Sequence, residues 1–188
     1  MSAPTELKVA KHGGNLFLRA VGWLSTLCGI IAAFLIVAAI GLTCQMLYVR
    51  FWLGESTIWQ TETVTFMMVG ATLIGLPYVQ RLRGHVNVDL IPLLLPLGLR
   101  KVLAIIVLIA SLAVIGMMVW YGFEMFHTAY QRSWTTDSVW GPKLWPIYLT
   151  VPVGLALLML QLVADLVATI TGIEEPFSIE PESMGGDN

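Results

Sequence analysis

The groups on this 188-residue chain that could do chemistry are three histidines, two cysteines and twelve carboxylates, and their spacing excludes most of what such groups do. His12 lies in a polar N-terminal segment, His85 in a connection and His127 just beyond a long apolar run. A haem-bearing membrane subunit needs histidines facing one another within helices. No zinc-type spacing of Cys and His appears, and no nucleophile motif accompanies the histidines. Cys28 and Cys44 share one apolar run. Their separation along a helix is about 24 Å, against the roughly 4.4–6.8 Å between Cα atoms that a disulfide requires, so both read as small apolar residues. Neither enzyme chemistry nor a cofactor is expected. Glu62, Glu124 and Asp165 sit in or beside apolar runs, where carboxylates are often functional. All three fall toward the ends of those runs. A coupling site or a proton-coupled exporter wants a carboxylate at mid-depth. Structural pairing or snorkelling and a functional role therefore both stay open for them.

The elements that carry these residues follow from composition. The chain is 57% hydrophobic and 12% charged, against roughly 25% charged in soluble domains. Such a chain needs lipid as the solvent for its outer face. Its net charge of −2 and the lack of a basic stripe exclude nucleic acid as a partner. No Asp, Glu, Lys or Arg occurs in Ala20–Val49, Thr63–Gln80, Val102–Phe123 or Leu144–Ala164. Each run can cross hydrocarbon about 30 Å thick, which takes about 20 helical residues. The apolarity is continuous rather than alternating, so the spans are helices and not barrel strands. The expected fold is an all-α integral membrane domain over residues 1–172. Its transmembrane helices lie near 20–48, 60–82, 101–124 and 146–171, the first long enough to tilt or project. The acidic tail, 173–188, is expected to be disordered. The segment before the first run is polar, and the run exceeds a signal peptide's apolar region, so it reads as a permanent span.

Lys and Arg set the orientation. Lys8, Lys11, Arg19, Arg81, Arg83, Arg100 and Lys101 fall on one side, and Arg50, Arg132 and Lys143 on the other. Seven against three places both termini and the central connection in the cytoplasm. Trp52, Trp59, Trp120, Trp134, Trp140 and Trp145 then gather toward the outer side, with Trp23 alone inside. Indole rings favour the membrane interface and are also enriched in binding hot spots, so lipid anchoring and partner docking both stay open.

Two connections carry local signals. In Arg81-Leu82-Arg83-Gly84-His85-Val86-Asn87-Val88-Asp89, the arginines suit the negative end of the second helix and Gly84 can close it. Asp89 can cap a short helix, Leu90–Leu99, with Pro92 in its first turn. That helix is too short to span and is expected to lie in the cytoplasmic interface. A His85–Asp89 or Arg–Asp89 pair would pin the turn; a proton relay is the sharper alternative. The third connection, Phe126–Pro146, holds Arg132, Trp134, Asp137 and Trp140 and a Gly141-Pro142 turn signal. A loop of this composition outside the membrane is a candidate recognition surface.

The stretch Trp59-Gln60-Thr61-Glu62, the Gly-containing helix after it, and Arg83-Gly84-His85-Val86-Asn87-Val88-Asp89 together resemble the small membrane subunit of TRAP transporters, the DctQ-type family. Trp140-Gly141-Pro142-Lys143-Leu144-Trp145-Pro146, then Val151-Pro152-Val153-Gly154 and Gln161, are similar to the fourth-helix region of such subunits. The chain departs in carrying Thr61-Glu62 where many members have two adjacent acidic residues. The resemblance implies a sodium-driven importer in the bacterial inner membrane. A periplasmic solute-binding protein (DctP-type) captures an organic acid or similar solute, and a large permease subunit (DctM-type) carries it. The small subunit is then a scaffold with family-motif residues Trp59, Glu62, Arg83, Gly84, His85 and Asp89. Its docking surface would include Arg132, Trp134, Asp137 and Trp140. The alternatives are a self-contained homo-oligomeric transporter or channel, which would move solute alone, and a membrane assembly factor, whose loss would leave transport intact.

Overall fold

The computed structural model describes residues 16–82 and 97–171, and every regular element within them is helical. Four helices are long and apolar enough to cross a membrane. They are α1 (Leu16–Tyr48), α2 (Ile58–Arg81), α3 (Leu97–Gln131) and α4 (Trp145–Thr171). In hydrocarbon no water is present to satisfy backbone N–H and C=O groups, so a spanning segment must satisfy them internally. That is why these runs are helical although they contain Val, Ile and Thr. The expected interfacial helix and the residues Arg83, Gly84, His85 and Asp89 lie outside the described residues, apart from 97–99. Those three residues belong to the first turn of α3 rather than to a separate helix.

The helix ends have local causes. α1 passes into a π-helical turn, Val49–Leu53, which stops at Gly54 with φ 65°, a conformation glycine adopts without steric cost. α3 runs to Gln131, seven residues past the expected end at 124. A charge ends a hydrocarbon-soluble run, but it does not end a helix, and Glu124 is simply carried on the continuing turns. The true stop is a Schellman arrangement. Trp134 N donates to Ala129 O at 3.1 Å and Ser133 N to Tyr130 O at 3.3 Å, with Ser133 at φ 49°. The third connection is therefore shorter than expected, 132–144, and Phe126–Gln131 are helical. At about 1.5 Å per residue the 35 residues of α3 reach about 52 Å, well beyond the hydrocarbon thickness. Trp120, expected at a membrane boundary, lies about 16 Å along the axis from that end.

α1, α2 and α4 pack on one another, while α3 lies along α4 and makes no extensive contact with α1 or α2 among the described residues. α1 and α2 are antiparallel: Gly22 faces Arg81, Gly29 the ring of Tyr78, and Ala32 faces Gly75. α2 and α4 are parallel, Gly70 lying near Thr150 and Leu73 against Gly154. A small apolar core of Leu18, Val21, Ala164 and Ala168 joins α1 to α4 at the end where α1 begins.

The closest approach is between α2 and α4. Pro77 lies inside α2 and has no N–H, so the carbonyl four residues earlier, Leu73, lacks its usual i+4 donor. Gly154 meets α2 at that carbonyl: a methyl built on Gly154 would stand 2.6 Å from Leu73 O. The sequence thus places a hydrogen-bond defect in one helix and a residue without a side chain opposite it. Small residues at such crossings let backbones meet where lipid gives no hydrophobic drive to association.

Candidate functional site

Polar side chains gather at the two ends of the bundle. At the end where α1 begins, Ser25 Oγ donates to Gln161 Oε1 at 2.6 Å. Gln161 Nε2 donates to Asp165 Oδ1 at 2.8 Å, and Gln80 Nε2 donates to Asp165 Oδ2 at 3.0 Å. One chain of hydrogen bonds thereby crosses α1, α4 and α2. Beside it, Arg81 folds back onto α1, its Nη1 donating to Gly22 O and to Thr26 Oγ1. The missing side chain at Gly22 makes room, since a methyl there would stand 3.3 Å from the guanidinium carbon. Arg81, expected as a cation at the negative end of α2, is therefore an interhelical donor as well.

Asp165 is six residues from the end of α4, about 9 Å along the axis. It is hydrogen-bonded within the bundle rather than isolated. The sequence signal for the rest was weak. Ser25 and Gln161 are lone polar residues in apolar runs, and such residues face a bundle interior and find partners. Their mutual contact across 136 positions is not legible from spacing.

The opposite end carries the connections 54–57 and 132–144. The longer one folds back on itself around Gly141 at φ 53°. Thr136 N donates to Pro142 O at 3.1 Å, Leu144 N to Trp134 O at 2.9 Å, and Thr135 and Lys143 form an isolated antiparallel bridge. Glu62, one turn into α2, fastens this loop: its Oε1 accepts from Thr136 Oγ1 at 3.1 Å. Glu62 Oε2 and Gln60 Oε1 are buried without a donor among the described residues. Trp59 is 44% exposed on the first turn of α2. Glu124 is exposed on α3.

Arg132, Trp134, Asp137 and Trp140 all stand exposed on the loop. The two tryptophans differ. Trp134 packs edge-on against Tyr148 of α4, with ring centroids 6.1 Å apart. Trp140 is 51% exposed, beside Val139 at 91%. Tyr130 and Trp145 pack edge-on at 6.2 Å below them. The loop is thus a hydrogen-bonded platform braced on α2 and α4, with apolar rings held at its surface.

Four membrane-crossing helices, with polar contacts at both ends of the bundle, define a multi-pass membrane protein of the all-α class. The particular family follows from comparison. The model of the DctQ component of tripartite ATP-independent periplasmic transporters matches residues 39–172, and the chain belongs to that family. Family membership makes it a transport component. The C4-dicarboxylate TRAP transporter small permease protein DctQ of Pseudomonas aeruginosa is 23% identical over 133 residues, covering 70% of this chain. The match spans 63% of the length of that relative.

Proposed function

We propose that this chain is the scaffold subunit of a sodium-coupled TRAP importer in the bacterial inner membrane, packing beside a large permease subunit that carries the solute and sodium sites. Both termini face the cytoplasm, and the 132–144 platform faces the periplasm, where a solute-binding protein carrying an organic acid docks. The single membrane domain covers 1–172, and Trp59, Glu62, Arg83, Gly84, His85 and Asp89 keep its ends in shape.

The observation that carries the reading is the family match over 39–172 together with the charge-free middle of every span. A sodium site built by this chain alone would want oxygen ligands, a carboxylate among them, near mid-depth. Asp165, the carboxylate nearest the interior of α4, accepts hydrogen bonds from Gln80 and Gln161. The platform supports the docking role through exposed Trp134 and Trp140 and the opposite charges of Arg132 and Asp137.

Reconstitution into proteoliposomes tests this. With the large subunit, the binding protein and an inward sodium gradient, vesicles accumulate solute. Omission of this chain abolishes uptake, whereas persistent uptake without it contradicts a required scaffold role.

A further inference from the structure

We infer that the open face of α2, together with the groove it forms with α1, is the seat of a transmembrane helix of the large permease subunit, and that the outward face of α3 is left to lipid. This inference rests on the scaffold reading above and goes on to name the surface.

α2 is flanked by α1 on one side and α4 on the other, and beyond Ile58 and Trp59 in its first turn its exposed residues fall on one line. Thr61, Thr65, Met68, Thr72 and Val79 recur at helical spacing and all are exposed. Three of the five are threonines. Each donates its hydroxyl proton to a carbonyl four residues earlier in its own helix: Thr61 to Thr57, Thr65 to Thr61, and Thr72 to Met68. A hydroxyl has one donor and two acceptor lone pairs, so the line presents hydroxyl acceptors to whatever covers it. Lipid tails offer no donor, whereas helix partners in membranes use small, hydroxyl and amide residues at their contacts. α2 is also the least apolar of the four spans.

A second observation lies on the same face. Ala39, Ile40, Thr43 and Cys44 of α1 and Val64 and Met68 of α2 enclose an apolar groove of about 250 Å³. Toward the loop end the face opens into a polar cleft of about 330 Å³, which includes Thr61 and is rimmed by Arg50 and Glu55. The face is therefore graded along its length. It is apolar with hydroxyls in the span and carries both charge signs at the mouth. A helix crossing the membrane there, with polar and charged groups at its outer end, matches that grading; an acyl chain matches only the groove. α3 contrasts within the span. It is the most apolar of the four, and its exposed line of Val102, Ile106, Ile109 and Met117 carries no hydroxyl or amide; polar groups, Trp120 and Glu124, join that line only toward its loop end.

Photo-crosslinking tests the assignment on the full chain co-expressed with its large subunit. Benzoylphenylalanine is placed singly at Thr65, Met68 and Thr72 of α2, and at Ile106 and Met117 of α3. The expected result is an adduct with the combined mass of the two proteins from the α2 positions, and loss of that adduct from the α3 positions. Adducts to the large subunit only from α3 overturn the inference while leaving the scaffold reading intact. So do adducts between two copies of this chain, or lipid adducts alone from α2 while the proteins still co-purify. Failure of the two proteins to co-purify at all overturns the scaffold reading, and this inference with it.

Discussion

Replacing Gly154 with alanine sets two opposing effects against each other, and the structure says which should win. On helix propensity alone the change is favourable, because glycine costs about 1 kcal/mol relative to alanine in a helix interior. The packing cost runs the other way. The new methyl would stand 2.6 Å from Leu73 O, 2.8 Å from Leu73 C and 2.9 Å from Leu73 Cβ, whereas ordinary contact begins near 3.4 Å. Two of those atoms are backbone, so no rotamer change relieves the clash and α2 must move away from α4. Overpacking of this kind costs about 1–3 kcal/mol. Losing the close approach of Gly154 to the Leu73 carbonyl, whose i+4 donor Pro77 removes, adds about 0.5–1 kcal/mol, the worth of a weak C–H donor contact. The net expectation for Gly154→Ala is a destabilisation of about 0.5–3 kcal/mol after propensity is subtracted. Gly41→Ala is the matched control, since a methyl there meets nothing within 4 Å; it should be neutral or stabilising. Equilibrium unfolding of the purified chain in detergent, read by helical circular dichroism, measures both. A Gly154→Ala protein as stable as the parent, or one that tracks Gly41→Ala, refutes the α2–α4 crossing described here.

Gln161→Leu keeps nearly the same side-chain size but removes the bridge between Ser25 and Asp165; the same unfolding assay should show a loss of about 1–3 kcal/mol for two intramembrane hydrogen bonds, and unchanged stability would mean the network holds nothing together. Ser133→Gly relieves a left-handed conformation in a residue with a side chain and should stabilise by about 0.4–1 kcal/mol, whereas destabilisation would contradict the Schellman end of α3. Trp140→Ala should weaken binding-protein-dependent uptake without lowering membrane abundance, because its ring is half exposed. Trp134→Ala should lower both, because its ring packs on Tyr148. Equal uptake by parent and Trp140→Ala would leave lipid anchoring as the role of that tryptophan.

The four spans were legible because charge is expensive in hydrocarbon, and the gaps between charged residues therefore measure lipid-soluble runs. The same rule misled at α3. Glu124 marks where the apolar run stops, but the helix continues through Phe126, His127 and Tyr130, and its end is written in backbone hydrogen bonds around Ser133. The exposed loop residues were readable as a surface from their composition. Their bracing by Glu62 was not, since Thr136 lies 74 positions away and nothing in local spacing pairs them. The chain of hydrogen bonds through Ser25, Gln161, Asp165 and Gln80 was hidden for the same reason. Each of the four looks like an isolated polar residue until the helices are packed. Gly154 was visible only as part of a resembling motif; its physical role depends on Pro77 in another helix.

The central claim is that this polypeptide supports a conducting neighbour and does not itself conduct. Solute accumulation in proteoliposomes containing this chain alone, under an inward sodium gradient, tests it most directly. No accumulation above protein-free vesicles is expected, with uptake appearing once the large subunit and a loaded binding protein are added. Sodium-dependent accumulation by this chain alone would contradict it.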